Sequence, residues 1–377
     1  MRILCVVGTR PNLIKMASLH REMRRRPGVE PILVHTGQHY DHNMSGAFLE
    51  ELDLPEPDIN LGVGGGSHAM TTGQIMMRFE PVLSKTEPDL VVVVGDVNST
   101  LAAALVAAKE GAPVAHVEAG LRSGDRTMPE ELNRIVVDRL ADLLFTTEPS
   151  GDRNLRAEGV AEEKIFSVGN VMIDTLMTHI EKARDAGTVE RCGLTPGQFA
   201  LVTLHRPANT DEPAALGSIL RALREIARDL PIFMPVHPRT RKCMADFGLL
   251  AEMEAAPGVT LGEPLGYLDF MNAMMHARVV LSDSGGIQEE TTILGVPCLT
   301  MRNNTERPIT IEMGTNRLVG TRGDDILRAW RELRDGGPTQ CERPPLWDGR
   351  ASERVLDAIE RWRRADGAPE AIRAVAQ

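Results

Sequence analysis

The segment SDSGGIQEE, residues 282–290, places a serine and two glycines (Ser284, Gly285, Gly286) where a helix is expected to begin. Unpaired backbone N–H groups at a helix start carry partial positive charge, and missing side chains let a phosphate approach closely. Two turns further on, Glu290 is placed to accept hydrogen bonds from ribose hydroxyls, as acidic residues do in dinucleotide sites. The alternative is an ordinary capped helix whose glycines serve tight packing. A second segment, HVEAGLRSGDRTMPEELNR at 116–134, crowds ionisable side chains behind a short apolar run. Thr127 and Glu130 have capping-box spacing, with Pro129 near the first helical turn, and this accounts for Glu130 alone. Glu118 reads either as a functional carboxylate or as a buried acid paired with Arg122 or Arg126. Asp96 reads as a functional group or as the cap of the helix that follows it, and His205 as a functional ring or a core histidine. Singly these structural readings compete with function; together they explain the clustering poorly.

The elements that must position these residues are short aliphatic strands. Gly8-Thr9-Arg10-Pro11, with Lys15 one turn on, follows RILCVVG; Asp96 and Asn98 follow VVVVG; Glu118 ends VAHV. His205-Arg206 ends LVTL, His237 ends the run PIFMPVH with Arg239 just beyond, and Asp283 to Gly286 follow VVLS. Strands that are apolar throughout are buried on both faces, and strands separated by helices imply right-handed crossovers, so the sheets are parallel and covered on both sides. Helices are expected near 45–52, 99–109, 174–186, 212–228, 267–277, 286–294 and 352–364, with a long connection after residue 52. PEELNRIVVDRLAD places Leu132, Ile135, Val136 and Leu140 on one helical face. Gly64-Gly65-Gly66 reads as a mobile loop. The expected architecture is α/β: two Rossmann-like doubly wound domains, 1–172 and 190–358, with an interdomain cleft where such sheets bind ligands.

Composition bounds the function. A chain of 377 residues suggests two domains. With 42 basic against 53 acidic residues the net charge is -11, which argues against general affinity for nucleic acid or anionic membranes. Any anionic ligand must therefore meet a local cluster of donors. The five scattered cysteines lack metal-ligand or redox spacing, no signal peptide or membrane span is seen, and a cytoplasmic protein without disulfides is expected. His116, His205 and His237 lie on separate strands without metal-site spacing, so no metal is expected. There is no Walker loop, no GxGxxG after the first strand and no GxSxG elbow.

The motifs GTRPNLIKM, TGQHYDHNMS, GDVNST, HVEAGLRSGDRTMPEELNR, TLHRPAN, PVHPRTR, SDSGGIQEE and RNNTERP run in order over nearly the whole chain. Together they resemble the non-hydrolysing UDP-N-acetylglucosamine 2-epimerases; HVEAGLR with PEELNR, DSGGIQEE and TERP is the specific part. The resemblance implies a glycosyltransferase-B-like fold, a C-terminal helix at about 360–377 returning to the first domain, and a homodimer. It implies interconversion of UDP-GlcNAc and UDP-ManNAc without metal or nicotinamide cofactor, by elimination of UDP to a 2-acetamidoglucal and its re-addition. Carried over by motif, Arg10, Lys15, Ser284, Gly285, Gly286 and Arg307 serve the nucleotide and diphosphate, Phe270 the uracil region and Glu290 the ribose. Asp96, Glu118, Glu130 and His205 surround the sugar. Asn12 departs from the glutamate that many members carry after GTRP. TGQHYDHNMS departs from the TGQHREM of members tuned by a second UDP-GlcNAc. Similar segments occur in relatives acting on a 2,3-diacetamido uronic acid, so the substituents at C3 and C6 stay open. A hydrolysing epimerase releasing ManNAc, a glycosyltransferase and a non-catalytic UDP-sugar sensor are the competing readings; retention of all four sugar-site residues argues against the last.

Overall fold

A computed structural model of the chain describes residues 1–37, 42–336 and 341–365. They pack as two compact units, Met1–Thr178 together with the residues from Pro345 onward, and His179–Pro344. The strands of the first unit are β1 (Arg2–Val7), β2 (Glu30–His35), β3 (Ile59–Asn60), β4 (Leu90–Val94), β5 (Val114–Ala119), β6 (Leu143–Thr146) and β7 (Ile165–Ser167). They form one seven-stranded sheet in the order β3-β2-β1-β4-β5-β6-β7, and every pairing is parallel. Burial on both faces follows from the unbroken apolar runs. Leu4, Val6, Val91 and Val93 pack with Ala103, Ala107 and Phe79 in one core cluster. Cys5, which alternates with them, instead reaches Met23 of the helix Arg10–Arg25, sulfur to sulfur 3.4 Å.

The second unit repeats the plan. Its strands are β8 (Ala200–Thr203), β9 (Ile232–Pro235), β10 (Val259–Gly262), β11 (Val279–Ser282), β12 (Cys298–Thr300) and β13 (Asn316–Leu318), ordered β10-β9-β8-β11-β12-β13 and all parallel. Ala200 and Val202 face the helices Pro213–Ile226 and Gly323–Gly336, while Leu201 joins the opposite cluster with Met274 and Ile287. Both sheets grow outward in two directions from their first strand, so each has a switch point, β1/β4 and β8/β11, of the kind that binds ligands at the carboxyl ends.

Two features differ from the sequence expectation. The long connection contains β3 and a 19-residue helix, His68–Thr86. Gly73 and Pro81 break its apparent pattern, yet Thr71, Ile75, Phe79 and Leu83 make a buried stripe at four-residue spacing. The helix Pro129–Leu140 is turned the other way from its apolar signal: Glu131, Asn133, Arg134, Val137 and Asp138 are buried, while Leu132 and Val136 are 42% and 41% exposed. Its inward side is polar because those side chains pair with groups at the sheet's edge. The C-terminal helix, expected near 352–364, spans Ala351–Arg364 and packs on Arg10–Arg25. Residues 366–377 of the expected 360–377 helix, and residues 38–41 of TGQHYDHNMS, lie outside the described residues. Asp174 accepts hydrogen bonds from the Ala351 and Ser352 N–H groups at 3.1 and 2.6 Å, and the buried Trp347 indole donates to Thr147 O at 2.8 Å. Among the described residues no helix is long and apolar enough to cross a membrane. All five cysteines are free thiols.

Candidate functional site

The sequence-predicted residues divide between the two units. Arg10, Lys15, Asp96, Glu118 and Glu130 lie in the first; His205, Phe270, Ser284, Gly285, Gly286, Glu290 and Arg307 lie in the second.

In the first unit, β1 runs into Gly8, where a Cβ would sit 2.0 Å from Ser99 Oγ and 2.6 Å from Thr36 Oγ1. Asn12 shapes the turn that follows: its Oδ1 accepts from Thr9 N and Thr9 Oγ1 at 3.2 and 3.0 Å, and its Nδ2 donates to Val94 O at 2.9 Å. A glutamate at this position has no donor for that last bond. Lys15, buried on the same helix, reaches both Glu118 oxygens at 2.8 and 2.7 Å. Glu118 occupies left-handed backbone space, φ 74°, where the β5/β6 register shifts between Val117 and Ala119. A non-glycine residue held so costs about 1–3 kcal/mol and persists where its surroundings over-determine it. Among the surroundings is Gly95, φ 69°, where a Cβ would lie 2.9 Å from Lys15 Nζ. Glu118 is thus paired with Lys15; Arg122, one of the two partners expected, is held by Asp138 and Glu158, each at 2.7 Å.

Asp96 and Glu130 also differ from their structural readings. The helix after Asp96 is Asn98–Lys109 with Val97 at its cap position, and the Asp96 carboxylate meets the Arg134 guanidinium while its backbone oxygen accepts from Asn133 Nδ2 at 2.8 Å. Arg134 is shared with Glu131 at 2.7 Å. The capping box of Thr127 and Glu130 does not form, because the helix begins at Pro129 behind Met128 and Thr127 Oγ1 donates to Asp125 at 2.6 Å. The neighbour Glu131 closes the preceding loop instead, accepting the Ser123 and Gly124 N–H groups, each at 3.0 Å. Burial alone would raise its carboxyl, but these bonds and Arg134 hold it below its ordinary value. Glu130 is left half-buried, with no hydrogen bond or ion pair to another described residue. Arg10 lies over the Phe48 ring, 5.5 Å from its centroid, a cation–π contact.

In the second unit, β8 and β11 end side by side at His205 and Asp283. The buried Asp283 lies 2.8 Å from His205 Nδ1 and accepts the His205 and Arg206 N–H groups at 3.1 and 2.9 Å and Asn209 Nδ2 at 3.1 Å. Burial would raise the Asp283 carboxyl; the His205 ring and the donated bonds outweigh it and hold it low. Ser284 occupies the cap position of the helix Gly285–Leu294, which Gly285 and Gly286 open. A Cβ on Gly285 would lie 2.7 Å from Arg307 Nη1 and 2.9 Å from Glu306 Oε1. Arg307 is buried, with Nε 2.8 Å from Glu289 and Nη1 on Glu306. Glu306 also takes Arg302 at 2.6 Å and Arg206 at 3.7 Å. Although burial opposes it, these arginines hold the Glu306 carboxyl well below its ordinary range. The guanidiniums of Arg206, Arg302 and Arg307 gather beside a helix N-terminus whose first turn is open, an arrangement suited to an anion. Glu290 is buried one step further along. Burial pushes its carboxyl up to about 8, opposed by the Tyr267 hydroxyl and reinforced by Glu289. Phe270, one turn after Tyr267, is partly buried against the cluster that includes Ile287.

Residues that shape these sites but were not singled out as site residues are Asp283, Arg206, Glu306, Glu131 and Arg134. Asp283 had a signal, an acid directly past a strand end and before the SGG turn. Arg134, Glu131 and Glu306 had none, since their partners are set by the fold.

A family model described as UDP-N-acetylglucosamine 2-epimerase matches residues 21–360. A UDP-N-acetylglucosamine 2-epimerase of Methanocaldococcus jannaschii is 39% identical over 361 residues, covering 94% of this chain and 98% of that protein. A UDP-2,3-diacetamido-2,3-dideoxy-D-glucuronate 2-epimerase of Pseudomonas aeruginosa is 40% identical over 363 residues, covering 95% and 99%. The crystal structure of the Methanocaldococcus jannaschii UDP-GlcNAc 2-epimerase with UDP-GlcNAc and UDP superimposes with a TM-score of 0.90 at 39% identity, covering 96% of this chain and all of that one. The two Rossmann-like parallel-sheet units are therefore of the glycosyltransferase-B-like class, and the chain belongs to the UDP-N-acetylglucosamine 2-epimerase family.

Proposed function

We propose that this enzyme epimerises UDP-GlcNAc at C2 to give UDP-ManNAc without net hydrolysis. The observation that carries the reading is Glu118, a carboxylate kept in strained backbone at a strand end and charged against a buried lysine; strain of this kind is retained where function requires it. The C2 proton lies next to an acetal carbon and is barely acidic, so direct abstraction faces a prohibitive barrier. Elimination avoids it. The C1–O bond to UDP breaks with its electron pair leaving on the diphosphate, C2 loses its proton, and a 2-acetamidoglucal remains. UDP then re-adds at C1 while C2 takes a proton on its other face.

Glu118, Glu130 and Asp96 divide the base, acid and charge-stabilising roles. Their environments differ, one buried and paired, one half-buried without a described partner, one on a shared arginine, and such differences separate acid from base. The diphosphate is received by Ser284, Gly285 and Gly286 at the helix start, with Arg307 beneath and Arg10 adding charge; Lys15 pairs with Glu118. His205, with Nδ1 committed to Asp283, offers Nε2 to the departing UDP. Glu290 takes the ribose hydroxyls and Phe270 borders the uracil. The whole-chain likeness to the diacetamido-glucuronate epimerase supports a second reading in which C3 and C6 carry other substituents. The protein acts as a cytoplasmic homodimer supplying cell-surface polysaccharide synthesis. The outward apolar side chains Met70, Met77, Leu132 and Val136, 60%, 68%, 42% and 41% exposed, support the dimer.

Incubation with UDP-GlcNAc in D₂O, followed by proton NMR, tests the reaction. UDP-ManNAc with deuterium at C2 is expected; free ManNAc would indicate hydrolysis, and turnover only of the UDP-diacetamido-uronate the second reading. Near-normal turnover in both folded Glu118→Gln and Glu130→Gln would refute the division of roles.

A further inference from the structure

His116 sits within β5, fully buried, and both of its ring nitrogens face oxygen. Nδ1 stands 2.7 Å from Asp138 Oδ1 and Nε2 stands 2.8 Å from Gly95 O. A carbonyl oxygen only accepts. Asp138 is engaged as an acceptor too: its Oδ2 takes the Gly120 N–H at 3.1 Å and an Arg122 N–H at 2.7 Å. With the Asp138 carboxyl ionised against Arg122, a neutral imidazole, which has one N–H, would set lone pair against lone pair at one of its two contacts. Leaving a buried polar group unsatisfied forfeits its hydration with nothing in return. The local charges balance if the ring is cationic: His116 and Arg122 stand against Asp138 and Glu158, the last bound by Arg122 Nε and Nη2 at 2.8 and 2.7 Å.

Building on the epimerase reading, we propose that His116 is a fixed imidazolium and the positioning residue for the first unit's three acids. One bond holds Gly95, whose next residue is Asp96. The other holds Asp138, on the helix that begins beside Glu130, and through Asp138 the Gly120 N–H two residues past Glu118. A single doubly donating ring thus ties together the turn, the bulged strand and the helix that carry Asp96, Glu118 and Glu130.

Neutron diffraction from crystals of the full chain at neutral pD is expected to show deuterons on both His116 nitrogens; a single ring deuteron overturns the proposal. His116→Gln and His116→Asn, each able to replace one bond, are expected to lower kcat by about 10²-fold, the scale of a small misplacement of catalytic groups, with KM within twofold. A residue needed only for folding would reduce the yield of folded protein and leave kcat per folded molecule unchanged, and that result also overturns it. If neither variant folds, the deuteron count alone decides. Failure of the wild-type enzyme to act on a UDP-sugar would strike the functional reading and leave the deuteron count standing.

Discussion

Lys15 and Glu118 carry opposite charges in a region almost without solvent, and each makes the other's burial tolerable. Removing one partner of such a pair leaves a bare charge and typically costs about 3–5 kcal/mol, whereas replacing both with apolar groups is far milder. Lys15→Met is therefore expected to lower unfolding free energy in urea by about that amount, and Lys15→Met with Glu118→Leu to recover most of it; a single variant as stable as wild type would contradict the pairing. Glu290 makes a second residue-scale expectation. Its carboxyl is raised by burial to about 8, well above an ordinary glutamate, so the folded protein holds a proton that the unfolded chain has released. Its contribution is present at low pH and is lost as pH rises toward about 8, at about 1.4 kcal/mol per pH unit. Urea unfolding between pH 5 and 8 should show this slope in wild type and a reduced slope in Glu290→Gln; identical slopes would mean that Glu290 is ionised in the folded state.

At the scale of elements, the helix Gly285–Leu294 owes its role to how its first turn is laid on Arg307. A methyl group at 285 would meet the guanidinium at 2.7 Å, and a buried arginine fastened to Glu289 and Glu306 has little room to retreat. Gly285→Ala is expected to weaken UDP binding at least about tenfold by calorimetry, or about 1.4 kcal/mol, while the thermal midpoint moves little; unchanged affinity would remove the helix start from the binding site. The helix Pro129–Leu140 teaches a different point. Its apolar periodicity was legible in the sequence, but which side faces the sheet was not. The sheet edge presents Asp96, His116 and the loop amides of Ser123 and Gly124, and these demand Arg134, Asp138 and Glu131 on the inner side. Paired polar groups can occupy a core position as well as apolar ones, so hydrophobic pattern alone pointed to the wrong face.

For the whole molecule, the outward Leu132 and Val136 join Met70 and Met77 on helices of one layer: His68–Thr86 packs on Asn98–Lys109, which packs on Pro129–Leu140. If that layer is the homodimer face, Val136→Lys with Met77→Lys should convert a dimer to a monomer in sedimentation velocity, and a wild-type monomer at micromolar concentration would dismiss the idea. Net charge is no guide to this site: in a chain of charge -11, Arg206, Arg302 and Arg307 still converge beside one helix start. Aliphatic strands alternating with helices, parallel sheets and polar motifs at strand ends were all legible in the sequence, because these are local properties of runs and turns. Short strands such as β3 and β13 escaped, being too brief and too polar to leave a pattern. Which charges meet emerges from the packing alone. Glu118 and Lys15 are 103 residues apart, Asp96 and Arg134 are 38 apart, and no local signature marks such partners, since the sheet order that joins them is fixed by packing over the whole unit.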